Sequence, residues 1–252
     1  MARRQRLDAE LVRRSLVATR TDAARAIEEH RVLVNGAVAD KASRQVHAGD
    51  AVVVLGAGPR FVSRGGEKLD AALEGFGIDV QGMRVLDAGA STGGFTDCLL
   101  QRGAGHVVAL DVGHGQLHPS IRADERVTVI ERFHIRDVDT VVTCGQVDLV
   151  TADLSFISLT RVIPAMAGVL CDSGAMVLLV KPQFEAGRAE VSKGRGVVTD
   201  PAVHERVRLE VHAAIGSAGG WVRGWLDSPL LGGDGNREFL VHATFERTGC
   251  SE

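Results

Sequence analysis

Apolar residues recur at helical spacing twice near the start of the chain, at Leu7, Leu11, Val12 and Leu16 and again at Ala23, Ala24 and Ile27. Each set marks one face of a short helix, over residues 7–16 and 21–29, with Thr21 as the candidate N-cap of the second. The period then changes. In Val32-Leu33-Val34-Asn35-Gly36-Ala37-Val38 two apolar runs flank Asn-Gly, a pair that tolerates the positive φ of a tight hairpin turn. Ala51 to Leu55 reads as a further strand, and Gly56-Ala57-Gly58-Pro59 breaks regular structure. The expected organisation is a small α/β module over 1–56, a linker over 57–62 and a larger domain over 63–252.

Beyond the linker, helical and strand patterns alternate, as a parallel sheet with crossover helices requires. A helix is expected over 66–75, then strands near 84–87, 107–111, 127–130, 147–152 and 175–180 with helices between them, and a helix near 201–217. Residues 221–227 and 238–245 have no helix between them, so they are expected to pair antiparallel at one sheet edge. No internal repeat interrupts this order.

Composition narrows the class. The 252 residues are 45% hydrophobic and 24% charged, the balance of a soluble globular protein. The longest purely apolar run, Ala175 to Val180, falls far short of the roughly 20 residues that cross a bilayer. The basic start, Met-Ala-Arg-Arg-Gln-Arg, lacks the apolar stretch of a signal peptide. Cysteines at 98, 144, 171 and 250 show no metal-ligand rhythm, which fits reduced thiols in a cytoplasmic protein. Charge is uneven: residues 1–60 hold 11 Lys or Arg against 7 Asp or Glu, while the rest hold 18 against 25. A basic head on an acidic body suits a polyanion bound by the N-terminal part, although a solvated basic surface gives the same count.

Val85-Leu-Asp-Ala-Gly-Ala-Ser-Thr-Gly-Gly-Phe95 is a strand end running into a glycine-rich turn that opens a helix. Such a turn also serves simply to join strand to helix. Its spacing departs from the G-x-G-x-x-G of dinucleotide folds, and Asp87 would repel a pyrophosphate. Both features favour a cofactor with a cationic or amine end, such as S-adenosylmethionine, over NAD. Asp111 ends the next strand 24 residues after Asp87, close to the spacing of an acidic residue that grips a ribose diol. His114 and His118 stand four apart, but Gly113, Gly115 and Pro119 disfavour one continuous helix there, and no metal is expected.

Ligands of open α/β sheets bind beyond the carboxyl ends of the strands. Asp153 ends Val147-Asp-Leu-Val-Thr-Ala-Asp, and Lys181 ends Met176-Val-Leu-Leu-Val-Lys with Pro182 holding it extended. A lysine so placed is a candidate base, and equally a snorkelling or ion-paired side chain. Lys68 and Glu238, each an ordinary surface charge when read alone, complete a possible set.

Ser63-Arg-Gly-Gly-Glu-Lys-Leu69, the turn at 87–95, Asp153-Leu-Ser-Phe-Ile-Ser158, Lys181-Pro-Gln-Phe-Glu185 and Gly235-Asn-Arg-Glu238 together resemble the TlyA family of FtsJ-like ribosomal RNA 2′-O-methyltransferases, historically called hemolysins. The resemblance covers nearly the whole chain, including a head similar to S4-like RNA-binding domains. It implies a Rossmann-like class I methyltransferase fold, whose mostly parallel seven-stranded sheet ends in the antiparallel pair read above. It also implies S-adenosylmethionine as cofactor, bound by Asp87, Gly89, Ala90, Ser91, Thr92, Gly93, Gly94, Phe95, Asp111 and Val112. The implied catalytic set is Lys68, Asp153, Lys181 and Glu238, with Lys181 steering or deprotonating a ribose 2′-hydroxyl, Asp153 orienting both lysines, and Glu238 completing the network. Base-amino and cytosine carbon-5 methyltransferases are disfavoured: Asp153-Leu-Ser-Phe replaces an Asn/Asp-Pro-Pro-Tyr, and no cysteine has a proline neighbour.

The expected partner is ribosomal RNA within ribosomal subunits, met by Arg3, Arg4, Arg6, Arg13, Arg14, Arg20, Arg25, Lys41 and Arg64, with Arg188, Lys193 and Arg195 in a further basic loop. With 4% aromatics and no tyrosine, recognition of RNA shape fits better than base stacking of the RNA-recognition-motif kind. Gly113-His-Gly-Gln-Leu117, Glu131-Arg-Phe-His-Ile-Arg136 and Arg60-Phe-Val62 depart from the usual family wording, the first two where cofactor affinity is set. The chain stops soon after its last strand, without the C-terminal helix of members that modify both subunits, which leans toward a large-subunit cytidine with the small subunit left open; the enzyme is expected to be a monomer. The competing classes are a membrane-active hemolysin and a catalytically silent RNA-binding protein.

Overall fold

The structure is a computed structural model that describes residues 4–56, 59–187, 190–191, 194 and 196–246. The chain divides into two compact units, residues 1–60 and 61–252.

In the first unit, β1 (Gln5–Arg6) leads directly into α1 (Leu7–Arg13), and α2 (Arg20–Glu28) follows after a turn. Thr19, not Thr21, caps α2: its hydroxyl accepts from Asp22 N while the Asp22 carboxylate accepts from Thr19 N, a reciprocal pair that Thr21 is too late in the chain to make. β2 (Val32–Val34) and β3 (Ala37–Val38) form the expected hairpin, with Asn35 at φ 53° and Gly36 at φ 81°. β5 (Val52–Val54) pairs on the other side of β2, and β4 (Gln45–Val46) pairs with β1 in a small ladder the sequence did not reveal. Leu7, Leu11, Ala23, Ile27, Val32 and Val34 form a core that closes between the two helices and the sheet.

The second unit runs α3 (Gly65–Phe76), β6 (Arg84–Ala88), α4 (Gly94–Gln101), β7 (His106–Asp111), α5 (Pro119–Arg122), β8 (Val127–Glu131), β9 (Val147–Ala152), α6 (Ile163–Gly168), β10 (Leu170–Val180), α7 (Pro182–Glu185), α8 (Pro201–Ser217), β11 (Gly220–Asp227) and β12 (Phe239–Phe245). Among the described residues, seven strands make one sheet in the order β11-β12-β10-β9-β6-β7-β8. The five from β10 to β8 are parallel, and β12 runs antiparallel to both β10 and β11, as the missing helix before it requires. The helices expected between β7, β8 and β9 shrink to α5 and a three-residue 3-10 turn at Ile135–Asp137. Gly113, Gly115 and Pro119 leave too little uninterrupted chain there for a longer helix.

Both faces of the sheet are covered, which is why the central strands read as continuous apolar runs. Along β10, Met176, Leu178 and Val180 face one core while Val177 and Leu179 face the other. Each fully buried side chain of this size contributes about 1.5–3 kcal/mol. The register places Val180 opposite Phe239, so Lys181 and Glu238 emerge at the same sheet end as Asp87, Asp111 and Asp153.

Candidate active site

The turn after β6 is shaped by close approach. Gly89 has φ +84°, and a Cβ there would stand 2.7 Å from the Asp153 carbonyl oxygen, because Asp153 N bonds Ala88 O and draws the end of β9 against it. Gly94 opens α4 where a Cβ would collide with Ser63 Oγ and crowd Gly66 N, so the starts of α3 and α4 touch backbone to backbone. That contact explains why Ser63-Arg-Gly-Gly and the glycine turn belong to one site.

Two adjoining cavities open at this sheet end. The larger, about 470 Å³, is lined by Gly89, Ser91, Asp111, Val112, Gln116, Phe133, His134, Asp153 and the loop Leu154–Ile157. Asp111 accepts from Ser91 N at 2.8 Å and Gly113 N at 2.6 Å, so it fixes both the glycine turn and the loop after β7 while facing the cavity. The smaller, about 270 Å³, is lined by Arg64, Lys68, Ala90, Thr92, Gly94, Phe95, Asp153, Ser155 and Lys181. Gly89, Ser91, Asp153 and Ser155 border both cavities.

Asp87 lines neither. Its side chain is wholly buried behind the turn, where Oδ2 accepts from Thr96 Oγ1 at 2.6 Å and ties β6 to α4. Burial pushes its carboxyl up to about 7, and among the described residues Oδ1 has no hydrogen-bond partner. Gly93 is likewise absent from both linings; its φ of +95° shapes the turn instead. Asp111 at the cavity wall and the apolar pair Phe133 and Ile135 suit a ligand with a diol and a flat ring.

The four polar residues form two ion pairs. Lys181 Nζ lies 2.5 Å from Asp153 Oδ1 and donates to Ser155 Oγ at 3.1 Å. Lys68 Nζ donates to Glu238 Oε2 at 2.5 Å, and Glu238 is 2% exposed. Asp153 was expected to orient both lysines; in the structure Lys68 turns instead to Glu238, whose place in the register brings a second carboxylate within reach. Lys68, Asp153 and Lys181 face the smaller cavity, and Glu238 stands behind Lys68.

Several residues of the site were missed by the sequence reading. Phe156 is 92% exposed at φ +65°, and its ring meets Phe184 at 5.1 Å. The low aromatic content concealed this pair, since abundance says nothing about placement. Phe133 and His134, in a stretch expected where cofactor affinity is set but not named as site residues, line the larger cavity, whereas His114 turns to Glu131 at 2.8 Å and His118 caps α5.

The N-terminal arginines are mostly committed to carboxylates. Arg6 and Arg20 bond Asp8, Arg13 and Arg14 bond Glu10, and Arg25 lies 3.6 Å from Asp22. The Arg13 hydrogen bond first, with Arg14 assisting, holds the Glu10 carboxyl below its ordinary range despite burial. Arg14 also donates to the carbonyls of His47, Ala48 and Asp50, so it ties α1 to the following loops rather than offering its guanidinium to phosphate. Arg4, Arg6, Arg13, Arg20 and Lys41 remain exposed. Arg64 is exposed at the rim of the smaller cavity. Arg3, Arg188, Lys193 and Arg195 lie outside the described residues, as does Cys250.

Comparison with known proteins identifies the family. The family model described as FtsJ-like methyltransferase matches residues 61–245, and the S4 domain model matches residues 5–52. The 16S/23S rRNA (cytidine-2′-O)-methyltransferase TlyA of Mycobacterium tuberculosis is 49% identical over 242 residues, 96% of this chain and 90% of the relative. The 23S rRNA (cytidine-2′-O)-methyltransferase TlyA of Campylobacter jejuni is 34% identical over 182 residues, 72% of this chain and 70% of the relative. A solved structure from Streptococcus thermophilus, whose name places it among hemolysins, is 40% identical, with TM-score 0.76, covering 98% of this chain and 90% of that one.

Proposed function

The chain belongs to the FtsJ-like methyltransferase family, and from that premise we propose that it methylates the 2′-hydroxyl of a cytidine in ribosomal RNA, with the large subunit as substrate. The shared wall of the two cavities carries this reading: a donor seated in the larger one meets an acceptor seated in the smaller one at Gly89 and Asp153. Large-subunit RNA is the substrate that the names of the Mycobacterium and Campylobacter relatives have in common.

When bound, S-adenosylmethionine supplies a methyl group already activated by its sulfonium charge. Asp111, Phe133 and the loop Leu154–Ile157 would hold it in the larger cavity, above the glycine turn that Asp87 and Thr96 brace. Alignment of the two reactants is then the main demand, worth on the order of 7–11 kcal/mol in favourable cases. Lys181, fixed by Asp153 and Ser155, places its ammonium group at the acceptor cavity, where it orients the ribose hydroxyl. Asp153 stands at the shared wall and takes the proton that the hydroxyl releases, while Lys68 holds the opposite side against Glu238. Phe156 and Phe184 offer a face for a nucleobase, and Arg4, Arg6, Arg13, Arg20 and Lys41 offer charge for the RNA backbone. The enzyme acts in the cytoplasm as a monomer.

A hemolytic role, suggested by the name of the Streptococcus relative, has no use for the two ion pairs; among the described residues no helix is long and apolar enough to cross a membrane. The test is Lys181→Ala. Calorimetry is expected to show S-adenosylmethionine affinity within about threefold of the parent, while single-turnover methyl transfer falls at least ~100-fold. Near-normal transfer by this variant would remove Lys181 from the mechanism.

A further inference from the structure

Glu185 and Ser158 close two of the motifs described above, yet neither lines either of the two cavities, and among the described residues neither joins an ion pair. Glu185 ends α7, the turn that begins directly after Lys181. Its carboxylate reaches the loop that follows β9: Oε2 accepts from Ser158 Oγ at 2.5 Å and Oε1 from Leu159 N at 2.8 Å. Burial raises the pKa of this carboxyl, as expected of a group held among neighbouring backbone rather than in water.

Between Asp153 and Ser158 lie Leu154, Ser155, Phe156 and Ile157, all four of which line the cofactor cavity. Ser155 also accepts from Lys181. Phe156, at 92% exposure and φ +65°, has little packing of its own to hold it, so its position depends on how the loop is anchored at either end. Asp153 N to Ala88 O secures one end, and Glu185 secures the other.

We propose that Glu185 is a positioning residue that clamps the Leu154–Ile157 loop to the Lys181 loop, and so fixes the wall of the cofactor cavity and the aromatic face beside it. The proposal rests on the methyl-transfer reading, but cofactor affinity reports on the loop without RNA. A carboxylate that merely capped the 3-10 turn at Leu159–Arg161 would leave that affinity unchanged.

The experiment measures S-adenosylmethionine Kd by calorimetry and single-turnover transfer to ribosomal subunits for Glu185→Ala, Glu185→Gln and Ser158→Ala in the full chain. Glu185→Ala is expected to raise Kd about tenfold and slow transfer by about tenfold or more. Glu185→Gln keeps both bridges, its amide oxygen accepting from Leu159 N and its amide group donating to Ser158 Oγ, so both values stay within about threefold of the parent. Ser158→Ala falls between them, and decides the matter if Glu185→Ala does not fold. Parent-like Kd in Glu185→Ala and Ser158→Ala would overturn the proposal, as would a Glu185→Gln variant impaired as severely as Glu185→Ala. If the parent transfers no methyl group while Kd still responds to Glu185→Ala, the methyl-transfer reading fails and the clamp stands.

Discussion

Replacing Lys68 by methionine leaves Glu238 as a buried carboxylate without its partner. The lysine side chain is 11% exposed and the glutamate 2%, with 2.5 Å between Nζ and Oε2, so water cannot readily replace the lost ammonium. Removing one member of such a pair typically costs about 3–5 kcal/mol, against a stability of roughly 5–15 kcal/mol for a whole domain. For a unit of this size each kcal/mol shifts Tm by about 2–4 °C, which gives an expected drop of roughly 6–20 °C. The assay is unusually clean: the chain has two tryptophans and no tyrosine, and Trp221 and Trp225 both lie on β11, so their fluorescence follows the methyltransferase unit alone. Lys68→Met/Glu238→Met removes both charges, and is expected to recover at least ~2 kcal/mol of the loss because no isolated charge remains. Neither variant should transfer methyl groups, since Lys68 faces the acceptor cavity. A Lys68→Met protein melting within ~2 °C of the parent, or a double variant whose losses simply add, would refute the buried-pair reasoning.

Three further outcomes are expected. Phe156→Ala, at a site 92% exposed, should leave Tm within about 2 °C but raise KM for RNA about 5- to 100-fold, the range for losing one stacked base; an unchanged KM in steady-state assays would remove the stacking role. Gly89→Ala places a methyl group 2.7 Å from Asp153 O at φ +84°, so S-adenosylmethionine binding measured by calorimetry should fall at least ~10-fold, and parent-like affinity would contradict the close approach. The third concerns pH. Asp87 titrates near 7 in the folded chain, above its ordinary 3.8, so folding takes up a proton between those values. Its contribution is therefore most favourable at low pH and declines as pH rises toward 7, where the carboxyl must ionise inside the core. Asp87→Asn should flatten the stability difference between pH 5 and pH 8 in urea titrations read by tryptophan fluorescence, and an unaltered difference would show that Asp87 titrates normally.

The strand positions and the glycine turn were legible because each depends on local pattern, whereas the order of the strands in the sheet was not. The apolar run at 175–180 and the largely apolar Val147-Asp-Leu-Val-Thr-Ala152 fit strands covered on both faces, and Asn35-Gly36 fits a tight turn. The four polar residues were legible as a set only through the resemblance: Lys68 and Glu238 lie 170 positions apart, and only the β10 to β12 register brings that sheet end together. Their pairing was not legible. Whether Asp153 or Glu238 holds Lys68 turns on ångström-scale reach across the cavity, which spacing along the chain does not encode. Arg14 makes the same point from the surface: a basic residue among basic residues looked like a phosphate contact, yet three backbone carbonyls that it donates to made it part of the fold. Phe156 was hidden because nothing in Asp-Leu-Ser-Phe-Ile-Ser marks the positive φ that turns its ring outward.

On the proposed function, a methyl group passes to a cytidine ribose in large-subunit RNA where donor and acceptor meet at Gly89 and Asp153. Purified 30S and 50S subunits incubated with the enzyme and methyl-labelled S-adenosylmethionine, followed by nuclease digestion and nucleoside mass spectrometry, test it most directly. The account predicts label on the 50S particle, recovered as a 2′-O-methylcytidine, and none with Lys181→Ala. Label recovered on a base, on protein, or on no ribosomal particle at all would contradict it.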